Sequence, residues 1–212
     1  MADDIAPEFV RFIEEELEAS RLPVSQKQLK EGEISDPVHF DSGRASEFLR
    51  VAAKRAAGLF HLTQHTEIVW VHGDSELAIN LAGLRAEFLD GLIQVLIPVR
   101  CDQTGTETIK IVFAVGTEDK PAGLFASSYR RPNGPSLIVD VWGESLVAFA
   151  WQCVLGMVTG IAGATGKDAR GNVLVPAELT ASRNGIQIVP MARYRFSGST
   201  KLVTSSEMGG RK

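Results

Sequence analysis

Apolar residues fall at helical spacing near the start of the chain. In residues 6–20, Phe9, Phe12, Ile13 and Leu17 recur every three or four positions and the glutamates take the opposite side. This is the pattern of an amphipathic helix, and Pro7 suits its first turn. Residues 21–43 are polar and carry Pro23 and Pro37. Ser25 and Gln28 have the spacing of a capping box for one short helix, and the rest reads as a connector. A second amphipathic helix is predicted over 44–62, with Phe48, Leu49, Ala52, Ala56, Leu59 and Phe60 along its apolar side.

From residue 66 the period changes to two. "TEIVWVHG" and "SELAINLAG" alternate as strands do, and Asp90-Gly91 is a turn dipeptide between "LRAEFL" and "LIQVLIPVRC". "ETIKIVFAVG", "LFASSYR" and "SLIVDVW" continue the series, separated by the turn-rich "TEDKPAG" and "RPNGP". Connections this short favour antiparallel meander pairing over parallel crossovers.

Residues 145–166 carry no charge and are apolar on every side of a helical wheel. A helix of that kind is expected over 144–158 at the centre of a core, with Trp151 and Leu155 buried. Its length would also cross a bilayer, and Gly156 and Gly160 form a small-residue pair of the sort used between membrane helices. Gln152 in mid-span and the clustered glycines favour the core reading. A last strand is predicted over 185–196, with an edge or bulge at Pro190, before a polar tail.

The expectation is an α+β fold: a mainly antiparallel sheet of about seven to eight strands (66–142 plus 185–196), packed by two N-terminal helices and the apolar helix 144–158. Its units are a helix and connector (1–43), a core domain (44–196) and a tail (197–212). The chain has 212 residues, enough to bury a core without disulfides or metal. Cys101 and Cys153 both sit in apolar runs, and "MADDIAPEFVRF" lacks the apolar segment of a secretory signal. Both features point to a reducing, cytoplasmic setting. Charge is segregated: residues 1–50 carry net −6 and residues 120–212 net +6. An acidic front and a basic back suit contact between copies as well as within one fold.

"GIAGATGKDARG" (160–171) is the one stretch with the look of a phosphate loop, through Gly160, Gly163, Gly166 and Lys167. "GATGK" resembles part of the loop in some short-chain nucleotide-sugar and reductase enzymes, but the likeness covers only those residues. A dinucleotide fingerprint needs a strand before its glycines and a helix after them, and here a helix precedes and a strand comes after. Asp168 stands where a phosphate loop would place Ser or Thr. No cofactor is expected.

His61 and His65 lie one helical turn apart, with His72 further along. The zincin pattern is absent, since Leu62 follows His61, so whether the three take a metal is left open and no metal site is assigned. Cys101 is a conceivable further ligand. Asp140 with Glu144 is a conceivable carboxylate pair, and the polar face of a half-exposed element is the simpler reading.

Two basic-aromatic clusters remain, Tyr129-Arg130-Arg131 and Arg193-Tyr194-Arg195. They suit phosphate contact or protein interfaces, and the acidic pI near 5.6 argues against nucleic acid. With no surviving nucleophile–base pair, metal cluster or cofactor loop, a self-associating, non-catalytic assembly subunit is expected. Those clusters would meet Glu14, Glu15 and Glu18 of another copy, and the partners would be copies of the chain or other protein subunits, with no membrane. The alternative is an enzyme or small-ligand-binding domain with a pocket between sheet and helices.

Overall fold

Asp41 starts the first described helix by accepting the backbone N–H of Arg44 at 2.9 Å on its side chain, the usual way to satisfy an orphan donor. The computed structural model describes residues 27–30, 32–59, 66–117, 119 and 131–193. The helix expected over 6–20, the strand at 124–130 and the tail 197–212 lie outside them. Two helices and ten strands are described: β1 (Lys27–Leu29), β2 (Val38–Phe40), α1 (Ser42–Ala56), β3 (Glu67–His72), β4 (Ser75–Asn80), β5 (Arg85–Leu89), β6 (Leu92–Cys101), β7 (Gly105–Ala114), α2 (Ser136–Ala164), β8 (Gly166–Asp168), β9 (Val175–Ser182) and β10 (Gly185–Met191).

The class is α+β with antiparallel sheets, apart from the short parallel pair β1–β8. The main sheet is a meander built on β6. Strand β7 pairs along its whole length, while β5 and then β4 pair in succession on its other side, and β3 lies outside β4. Alternation decides which face is buried. Ile79, Ile93, Val95, Ile97, Val99, Ile109, Ile111 and Phe113 point inward and are buried. A second sheet runs β2–β10–β9. The polar stretch before α1, read as a connector, thus supplies two strands that pair with residues beyond 160. At Gly185, with φ +142°, a Cβ would stand 2.2 Å from the Phe40 carbonyl oxygen, so only glycine lets β2 lie this close.

The apolar helix is longer than expected. The alternation of "SLIVDVW" predicts a strand, and these residues form the first two turns of α2 instead. Their pattern is consistent with either period, and burial of Ile138, Val139, Trp142, Leu146 and Phe149 obeys the helical one. Pro135 precedes the helix and cannot continue a sheet ladder. Helix α2 is long and apolar enough to cross a membrane, and more than half of its most apolar window is buried within the fold. Leu146, Cys153, Met157 and Ile161 hold the centre. Trp151 and Leu155, expected there, are only partly buried.

Helix α1 packs on α2 and on β5. Ser46, buried on α1, accepts the Ala86 N–H of β5 at 2.9 Å, a polar tie inside an apolar contact.

Candidate interaction surface

A groove lies between the edge strand β3 and α2, with Ala56 of α1 also in its lining. Its volume is about 920 Å³ and it is open to solvent along its length. The chain has three tryptophans, and all of them, Trp70, Trp142 and Trp151, line it. Strand alternation sends Ile68, Trp70 and His72 to the helix side of β3, and helical spacing brings Trp142 and Phe149 to meet them. The Trp70 ring lies 6.2 Å from Trp142 and 5.7 Å, edge-on, from Phe149. His72 stands edge-on to Trp142 at 5.9 Å, and Trp151 packs on Phe113 at 5.6 Å. The two edge-on contacts have a preferred aromatic geometry, and the other two are tilted.

Exposed apolar side chains stand on both elements that form the groove. Val69 and Val71 on the other face of β3 are 51% and 65% exposed, and Leu137 and Val141 on the outer side of α2 are 58% and 46% exposed. Ser145, Ala148 and Gln152 continue the helix side without a charge. Its lining holds no carboxylate, lysine or arginine, so the groove presents shape and aromatic surface rather than a set of acids and bases.

The residues singled out in the sequence mostly fall elsewhere. Of the proposed interface set, only Arg131 and Arg193 are described; Tyr129, Arg130, Tyr194, Arg195, Glu14, Glu15 and Glu18 lie outside the described residues. Arg131 pairs with Asp140 of its own chain, and both are exposed. Asp140 is therefore a surface ion-pair partner, and an exposed pair of this kind adds little stability. Glu144 is exposed one turn further along α2.

His61 and His65 lie outside the described residues, and among those described no three His, Cys, Asp or Glu side chains stand close enough to hold a metal. His39 donates from Nε2 to the Asn184 carbonyl at 3.1 Å, a tie at the β2–β10 end. Cys153 is fully buried on α2, and burial pushes its thiol far above the usual range.

The glycine stretch lies at the wrong end of a helix for phosphate. Gly160 and Gly163 belong to the last turns of α2, and Gly166 opens β8. Phosphates favour the positive N-terminal end of a helix, and this is the negative C-terminal end. Beyond β8 the chain enters a turn organised by buried Asp168. Its carboxylate accepts the backbone N–H of Arg170 at 2.9 Å and of Asn172 at 2.8 Å, and the Asn172 side-chain amide at 2.9 Å. Burial acts to raise the Asp168 carboxyl, but the hydrogen bonds from Asn172 and Arg170 and the Arg170 charge outweigh it and hold it below the usual value.

Comparison with protein-family models, with curated proteins and with solved structures finds no match.

Proposed function

We propose that this chain is a non-catalytic, self-associating subunit of a larger assembly, working in a reducing, cytoplasmic setting. The observation that carries this reading is the convergence of all three tryptophans on one open groove whose lining holds no carboxylate, lysine or arginine. Tryptophan anchors protein interfaces more than most residues, because a large rigid ring buries much area at low entropy cost. Apolar burial at that groove supplies the affinity. The segregated charges of the chain act on encounter rate and orientation.

Sedimentation velocity on the intact chain over a wide concentration range tests the reading, at low and high salt, with Arg130→Glu/Arg131→Glu beside it. Association is expected, and it should weaken in the double variant and at high salt. A strict monomer at high concentration removes the proposal. An oligomer indifferent to salt and to the variant keeps assembly and discards the electrostatic steering.

The alternative, a small-ligand-binding domain, draws support from the same groove, because a pocket of this volume between sheet and helix suits an aromatic ligand. Because every tryptophan lines it, selectively excited tryptophan fluorescence reports on that site alone. A saturable spectral shift with a small aromatic ligand, in a chain that stays monomeric, favours the alternative.

A further inference from the structure

Edge strands invite pairing, and folded proteins blunt them with lysine, proline, bulges or short length. The described edges are blunted in one of these ways or covered, with one exception. Strand β5 has no lysine, proline or bulge, but it lies against α1, whose Ser46 hydroxyl takes its Ala86 N–H. Strand β2 is three residues long. Strand β9 carries Pro176 and Glu178 and is bridged at Thr180 to Gly116. Strand β7 carries Lys110, which is bridged to Asn133. Strand β3, "EIVWVH", has no lysine, no proline and no bulge: all six residues pair in regular register with β4. No described strand lies on its outer side.

Its backbone phase is also fixed. The Leu81 N–H donates to the Thr66 carbonyl at 2.7 Å, so even-numbered residues exchange hydrogen bonds with the β4 side. The N–H and C=O groups of Glu67, Val69 and Val71 therefore point outward, and Val69 and Val71 are also the strongly exposed apolar side chains of the strand. The stretch Val69-Trp70-Val71 reads the same in both directions. A strand of that kind is complementary to itself when it runs antiparallel about its central residue.

We propose that β3 is the seam of a two-fold dimer, in which two copies of Glu67–His72 pair antiparallel about Trp70. This deepens the self-association proposed above and rests on it. Val69 exchanges both backbone hydrogen bonds with the partner's Val71, and the reverse pair arises by symmetry. An isologous contact of this kind satisfies the outward groups of both chains at once. Trp70 meets the partner's Trp70 in the close, non-hydrogen-bonded position, over the groove already walled by Trp142 and Phe149. The two main sheets become one continuous sheet. Ser145 and Ala148, on the helix face beside the seam, are small enough to let the partner's helix approach.

The test uses the full chain. Val71→Lys puts a charge on each side of the seam at a position that is solvent-exposed in one protomer. Sedimentation equilibrium should show a dimer for the unaltered chain and a dissociation constant about tenfold higher or more for Val71→Lys, with the same unfolding midpoint for both at concentrations where both are monomeric. In a Cys101→Ser background, Ile68→Cys/His72→Cys should cross-link between chains on oxidation, because this register places position 68 opposite the partner's position 72. Either single cysteine variant should not.

A monomeric chain at all concentrations overturns both the seam and the assembly reading. An oligomer that survives Val71→Lys and does not cross-link overturns the seam alone. A monomer that Val71→Lys destabilises means that another segment of the same chain covers the edge, and overturns the seam.

Discussion

Gly156 of α2 stands directly against Ala52 of α1: a Cβ at position 156 would lie 2.6 Å from the Ala52 Cβ and 3.4 Å from its Cα. The two helices thus cross where neither carries more than a methyl group. Gly156→Ala would regain about 1 kcal/mol of helix propensity and incur about 1–3 kcal/mol of overpacking. A net loss of stability is expected in urea unfolding. In an Ala52→Gly background the clash is relieved, so the same change at 156 should be neutral or stabilising.

Leu146→Ala, at the centre of the core, should cost about 2–5 kcal/mol from lost transfer energy and a residual cavity. Leu155→Ala, on the partly buried side of the same helix, should cost distinctly less. Equal costs at the two positions would contradict this rotation of α2 about its axis.

The contrast between those two leucines also marks how far the sequence could be read. The meander was legible because its turns carry local signals, such as Asp90-Gly91 between β5 and β6, and its strands alternate cleanly. Residues 136–142 were not, since Leu137, Val139 and Val141 suit a strand, and only the packing of the later turns selects the helix. The pairings of β1 with β8 and β2 with β10 join three-residue stretches to partners far along the chain, and nothing local encodes them. The groove was illegible for the same reason. Trp70 and Trp142 are unremarkable each in its own segment and become a site only in space. The signal available was the presence of apolar residues on both faces of "IVWVH" and on every side of α2, more than one core can cover.

Asp168→Ala should destabilise the chain by about 1–3 kcal/mol near neutral pH, because the N–H groups of Arg170 and Asn172 lose their acceptor. The pH dependence has a definite sign. The carboxyl is held below its ordinary 3.8 in the folded chain. The folded state therefore binds fewer protons than the unfolded one just below that value, and stability falls as pH drops. The difference between the native chain and Asp168→Ala, measured by urea unfolding, should be fully present above the ordinary value and shrink as pH falls through the lowered one.

Thiol labelling should distinguish the two cysteines. Cys101 is partly exposed and Cys153 is buried, with its thiol pushed up far from ionisation at neutral pH. One thiol should react in native conditions and two in urea. Rapid labelling of both in the native chain would mean that α2 opens readily.

The strand before α1 finds its partner only near the other end of the chain: His39 meets Asn184 across 145 positions of sequence. Ribosomes add about 5–20 residues per second, so Val38–Phe40 waits roughly 7–30 s after its own synthesis before β10 exists. Through that interval the β2 edge has no partner, while α1 meets β5 and then α2 earlier. A nascent chain of this design carries an unpaired strand while the intervening residues are made, and its second sheet closes only once β10 is available.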